Sequence, residues 1–140
     1  MNYWILKSEP AAYAWDTLVR EKKTPWNGVR NYQARNNLAA MKMGDLALFY
    51  HSGAERRVVG IARVVRAAYP DHTPGYADGP SWVMVDVEPV KPLVTPVTLS
   101  IIKEVPALAQ TKLVRQARLS VSPVTKKEFE IILKLGRTRA

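Results

Sequence analysis

Apolar residues change their spacing several times along the chain, and each change marks an element. Trp4, Ile5 and Leu6 in a row predict a short first strand over residues 3–7. Residues 15–23 have a helical pattern that must stop before Pro25, because proline disfavours helix at the residue preceding it. Asn31 is placed to cap a second helix over residues 32–41, with Ala34, Leu38 and Met41 on one stripe and Tyr32, Arg35 and Asn36 on another. Lys42-Met43-Gly44-Asp45 then turns the chain into the apolar run 46–51, a buried strand, and Ser52-Gly53-Ala54-Glu55 makes a hairpin into residues 57–65. This hairpin is expected at the centre of a sheet.

The second half is more punctuated. Residues 69–81 hold three prolines, two glycines and two aspartates without periodicity, which predicts a surface loop, and residues 82–87 alternate as a strand. Pro89, Pro92 and Pro96 interrupt the next stretch, and Thr98 can cap a short helix that Pro106 ends. Residues 119–121 predict a last short strand. Thr125 and Glu128 form a capping box for a C-terminal helix whose apolar face is Phe129, Ile132, Leu133 and Leu135, stopped by Gly136. Trp4, Trp15 and Trp82 lie among apolar neighbours and are expected in the core.

Composition narrows the classes. A chain of 140 residues is expected to form one domain, 1–140, with a real core. The absence of cysteine removes disulfide frameworks and thiolate metal sites. Residues 1–7 are too short and too quickly charged for a signal peptide or spanning helix, so a cytoplasmic protein without a membrane partner is expected.

Charge changes the picture more. Lys and Arg number 21 against 12 acids, a net of +9, and whole windows lack carboxylates. Between Glu21 and Asp45 stand Lys22, Lys23, Arg30, Arg35 and Lys42; between Glu104 and Glu128 stand Lys112, Arg115, Arg118, Lys126 and Lys127. If the fold joins these windows, they form a positive face suited to a phosphate backbone. For Lys126, Lys127 and the Arg137-Thr138-Arg139 tail, simple solvation is the better reading.

The densest chemistry lies in residues 26–38, where Trp26, Tyr32, Arg30, Arg35, the turn glycine Gly28 and a run of Asn and Gln amides occur with no acid. Aromatic faces stack on nucleobases, amides bond their edges and arginines take phosphate. An enzyme finds less support. His51 and His72 are the only histidines, neither in a nucleophile–base or metal-ligand spacing, and His51 and Ser52, adjacent on a strand, point to opposite faces. Asp71, His72 and Asp78 are too loosely spaced to argue for a cation, and no glycine-rich phosphate loop occurs. No metal and no cofactor are expected.

Lys7-Ser8-Glu9-Pro10, residues 26–38, residues 44–52, Val59-Gly60-Ile61-Ala62 and residues 113–121 occur in that order and resemble the EVE domain over nearly the whole chain. The resemblance implies an α+β, PUA-like fold, a curved mixed β-barrel flanked by helices. It also implies kinship with the YTH domain and other readers that accept a modified base in an aromatic-lined pocket. The implied ligand is a modified nucleobase, a 5-methylcytosine-type DNA base first, flipped out of its stack. By similarity to the YTH pattern, Lys7, Ser8 and Trp26 fall where the pocket is built. Trp26 then stacks on the base, Ser8 and Asn31 contact its edge, Val29 touches a methyl group, and Tyr32, Tyr50, His51 and Ser52 complete the wall, with Trp82 as a possible second cage wall. Arg30, Arg35 and Arg118 are expected to hold flanking phosphates. The implied protein is a non-enzymatic monomer with nucleic acid as partner and an effector encoded elsewhere. The alternatives are a module for modified or structured RNA, or one for protein interaction without base recognition.

Overall fold

A computed structural model describes all residues, 1–140. The elements in chain order are β1 (Tyr3–Ser8), α1 (Trp15–Glu21), β2 (Thr24–Trp26), α2 (Tyr32–Ala40), β3 (Leu46–His51), β4 (Arg57–Pro70), β5 (Val83–Thr98), α3 (Leu99–Glu104), a 3-10 turn (Pro106–Leu108), α4 (Lys112–Arg115), β6 (Val121–Val124) and α5 (Lys126–Leu135). The strands form one mixed sheet in the order β2-β5-β4-β3-β1-β6. Only β1 and β3 run parallel; the other pairs are antiparallel.

Side-chain alternation divides the core. Trp4, Leu6, Ala47 and Phe49 face one side of the sheet with α1 and α2, whereas Ile5, Leu46, Leu48 and Tyr50 face the other with α3, α4 and α5. Covered on both faces, β3 is buried at every position, as its unbroken apolar run demands. Trp4 and Trp15 are core residues. The Trp4 indole donates to Asp45 Oδ2 at 3.0 Å, and Trp15 lies flat enough on β4 that a Cβ at Gly60 would stand 2.7 Å from its ring. That close approach is why a glycine occupies a strand interior here.

The expected caps are present. Asn31, Thr98 and Thr125 each accept from a backbone N–H one turn on, and Glu128 returns the bond to the Thr125 N–H. The expected mixed sheet flanked by helices is present, but the barrel that the resemblance implies is not closed: β2 and β6 remain as the two edges of the sheet.

Four boundaries differ from the sequence expectation. The first helix stops at Glu21, with Lys22 in the left-handed region (φ 68°), and this frees residues 24–26 to form β2 against β5. Strand β4 runs on to Pro70 and shortens the loop. Strand β5 continues through Pro89, Pro92 and Pro96: Pro89 pairs with Ala62 and Pro92 with Gly60 at the edges of register shifts, and Pro96 lies within one, so the irregular ladder accommodates residues that lack an N–H. The last strand begins at Val121, since Leu119 donates to Gln116 O in a turn.

Candidate nucleic-acid interface

The parallel pairing of β1 with β3 carries Lys7 and Ser8 to the end of the sheet where α1, β2 and the 71–82 loop converge. A cleft of about 410 Å³ opens there, lined by Lys7, Ser8, Tyr13, Trp26, Val29 and Tyr76, with Arg30 and Ser120 at its border. Its floor is Trp26, only 8% exposed and held edge-to-face by Phe49 at 5.5 Å and Tyr13 at 6.2 Å. Pairing of β2 with β5 fixes this indole, Trp26 standing opposite Val85.

The wall opposite β1 comes from the loop, and a buried carboxylate fastens it. Asp71 is fully buried; its Oδ2 accepts from the Gly28 N–H at 2.8 Å and from Arg30 Nη1 at 3.0 Å, and its Oδ1 accepts from the Thr73 N–H and hydroxyl. Burial alone would push the carboxyl up, but the Arg30 guanidinium and the Thr73 and Gly28 donors outweigh it and hold Asp71 well below the usual carboxylate range. Arg30 also donates from Nε to Ala77 O at 2.6 Å, so one side chain binds both arms of the loop. Gly28 has φ 78°, and a Cβ there would lie 2.7 Å from the Tyr76 ring. Only glycine permits both the backbone turn and the packed tyrosine.

Polar groups around the cleft are partly committed. Lys7 Nζ donates to Ala117 O at 2.8 Å, and burial lowers its pKa; Ser8 Oγ donates to Tyr13 O at 2.7 Å. Tyr13 donates to Glu21, and burial together with that bond pushes its phenol up to about 12, so it remains protonated. The two acid-free windows do meet. Gln33 Nε2 donates to Gln116 Oε1 at 2.8 Å, Asn37 Nδ2 to Val121 O at 2.7 Å, and Arg118 borders a shallow groove with Asn31 and Gln33.

Lys7, Ser8, Trp26 and Val29 therefore come together, whereas the other expected pocket residues lie elsewhere. Asn31 spends its side-chain oxygen on the Ala34 N–H. Tyr32 points outward and stacks on Trp82 at 4.8 Å, so neither ring lines the cleft, and Trp82 is half-buried rather than a core residue. Tyr50 packs into the opposite core, one residue on from Phe49, and meets the site only through the Lys7 ammonium, which stands 5.6 Å from its ring centroid at the border of the cleft. His51 is buried, its Nε2 accepting from the Trp15 N–H at 3.0 Å and its Nδ1 facing Glu55 at 3.0 Å. Ser52 is half-buried and bonds Ser8 O through its backbone N–H. Among the expected phosphate ligands, Arg30 is engaged by Asp71, while Arg35 and Arg118 have no carboxylate partner. Asp71 points inward and His72 pairs with Asp78 at 2.7 Å, so these three do not converge on one point. Tyr13, Tyr76 and Ser120 are lining residues that the sequence reading passed over. For Tyr76 a signal existed: an aromatic inside a Pro, Gly and Asp loop has no apolar stripe to join.

A larger groove of about 550 Å³ lies toward the other end of β1, floored by Tyr3, Leu46, Phe129 and Leu133. Its polar rim is Glu130, Lys134, Arg137, Thr138 and Arg139, and the Thr138 hydroxyl is already bonded to the Val94 N–H and Gly136 O.

The model of the EVE domain matches residues 2–135. The chain belongs to the EVE-domain family. Thymocyte nuclear protein 1 of Mus musculus is 40% identical over 98% of this chain and 74% of its own length. The crystal structure of a protein from Agrobacterium tumefaciens is 42% identical with a TM-score of 0.92, covering 99% of this chain and 94% of that one. The crystal structure of human THYN1 protein in complex with 5-methylcytosine-containing DNA covers all of both chains at 33% identity and a TM-score of 0.90. EVE-domain membership thus extends over the strands and loop that build the cleft.

Proposed function

We propose that this chain is a non-enzymatic nucleic-acid-binding module that takes one modified base, of the 5-methylcytosine type, out of its stack and into the cleft between β1, β2 and the 71–82 loop. The observation that carries the reading is the aromatic floor and wall, Trp26 and Tyr76, facing Lys7 and Ser8 in a space of about 410 Å³. The size agrees with small-ligand pockets, roughly 300–1,000 Å³. A relative of 33% identity is described in complex with DNA containing 5-methylcytosine, which supports this ligand class.

In this reading Trp26 and Tyr76 supply stacking, worth roughly 1–3 kcal/mol per base. Every base has a π-face, so discrimination falls to shape and edge contacts. Val29 covers the added methyl group, Lys7 donates to a base oxygen or ring nitrogen, and Ser8 adds a short polar contact. Arg35, Arg118 and the acid-free rim hold the flanking phosphates. Ser8 stands beside His51 in the β1–β3 pairing, but its hydroxyl donates to Tyr13 O and the imidazole Nε2 accepts from the Trp15 N–H, so no bond from the histidine activates the serine.

The test is a titration at fixed salt with oligonucleotides identical except for cytosine, 5-methylcytosine or 5-hydroxymethylcytosine, each as single-stranded DNA, duplex DNA and RNA. Because Trp26 is also a core residue, the variants are Trp26→Phe, Tyr76→Ala and Lys7→Met. Tighter binding of one modified form, weakened about tenfold or more in Tyr76→Ala, is expected. Equal binding of all forms by all four proteins would assign the basic surface a generic role and sink the proposal.

A further inference from the structure

Outside the cleft, the surface carries a run of alternating rings and guanidinium groups that the proposed pocket does not use. Tyr32, first residue of α2, stacks on Trp82 at 4.8 Å with 29° between the planes. The Arg35 guanidinium lies 5.7 Å from the Tyr32 centroid, and the Arg30 guanidinium lies 5.4 Å from both the Trp82 and the Tyr76 centroids. Although it has two such neighbours, Tyr32 remains 60% exposed, so the ring is not there for the area it buries. Arg35 has no carboxylate partner, and the loop's exposed carboxylate, Asp78, is held by His72. Arg30 joins this run to the cleft. Tyr76, on the cleft wall, and Trp82 stand no farther apart than twice 5.4 Å.

We infer that the Tyr32–Trp82 stack, with Arg35, is a second nucleobase site, which takes the unpaired base next to the one held in the cleft. This rests on the base-reading proposal above and extends it. Drawing one base out of a stack uncovers a face of its neighbour, and that face is restacked on an aromatic ring or an arginine plane. Tyr32 supplies the ring and Arg35 a guanidinium plane, and Arg35, which has no carboxylate partner, favours the strand's phosphates, while Asp71 and Asp78 nearby are already paired with Arg30 and His72. A protein partner fits less well, because the patch is two rings bracketed by cations rather than a continuous apolar surface.

The experiment uses the full chain and short single-stranded DNA at constant salt. The probes are 5-methyl-deoxycytidine monophosphate, a trinucleotide with 5-methylcytosine in the middle, the same trinucleotide abasic on the 5′ or the 3′ side, and its unmodified counterpart. The proteins are wild type, Tyr32→Ala and Tyr32→Phe. In the wild type, removing one particular flanking base is expected to weaken binding roughly 5- to 100-fold. Tyr32→Ala should show that same loss with the intact trinucleotide and no further loss with the abasic one, while Tyr32→Phe and all binding of the monophosphate stay unchanged. Wild-type-like affinity of Tyr32→Ala for the intact trinucleotide overturns the inference, as does an equal loss with the monophosphate. If the wild type treats modified and unmodified trinucleotides alike while the flanking-base coupling to Tyr32 persists, base reading fails and the stacking site stands.

Discussion

The fastening of the 71–82 loop offers the most direct test of how the cleft is held. In Asp71→Asn the side chain keeps its shape but loses its charge, and an amide cannot accept from Gly28, Arg30 and Thr73 together. Asp71 is fully buried and the Arg30 side chain is 14% exposed, so this pair belongs with buried ion pairs rather than with surface ones. Removing one member of such a pair costs about 3 kcal/mol, the low end of the buried range, because Arg30 reaches water at its edge. The loop can open without the sheet unfolding, so that cost appears first as local opening. Amide hydrogen exchange at Gly28 and Thr73 is expected to speed up by about 100-fold, while exchange in β3 changes little. The melting temperature should fall by less than about 9 °C, the figure for a loss felt by the whole domain at about 3 °C per kcal/mol. Unchanged exchange at both amides would refute the reasoning, because the bonds drawn to Asp71 would then carry no free energy.

Other outcomes rest on the same geometry. The Asp71 carboxyl titrates lower in the folded chain than in the unfolded one, at about 3.9 there, so its contribution is complete above that value and is lost as the pH falls through the folded value. Thermal melts of wild type and Asp71→Asn should therefore differ by a constant amount from about pH 5 to 8, with the difference beginning to shrink below about pH 4 and vanishing only below the folded value. Gly28→Ala places a Cβ 2.7 Å from the Tyr76 ring at φ 78°, and we expect a loss of about 1–2 kcal/mol in denaturant unfolding together with weaker base binding. Thr125→Ala removes the capping box of α5 and should cost about 1 kcal/mol by the same measurement, leaving nucleic-acid affinity untouched. A Thr125→Ala protein that loses binding would show that α5 is coupled to the interface.

Short-range signals were readable residue by residue. Asn31, Thr98 and the Thr125–Glu128 pair are where helices begin, because a cap is a bond between residues three apart and needs nothing from the rest of the chain. The continuous apolar run 46–51 announced a strand covered on both faces. The mixture of rings, arginines and amides in residues 26–38 pointed to the candidate interface, since chemistry is carried by residue type. The EVE resemblance supplied the topology, which periodicity alone does not specify.

Membership of the cleft was another matter. Tyr13 and Tyr76 reach Trp26 only through folding; the loop is docked by bonds such as Gly28 to Asp71, 43 residues apart. Tyr50 and Asn31 have the right chemistry and the wrong direction: a strand turns alternate side chains to opposite faces, and a cap spends its oxygen on its own helix. Arg30, read as a phosphate ligand, is drawn to a buried carboxylate whose location no local pattern reveals. The sequence alone determined most of the elements, their caps, the basic windows and the chemistry of the candidate site, because these depend on residue type and near neighbours. The tertiary structure decided which side chains share the cleft, because that depends on pleat direction and on contacts closed across the whole chain.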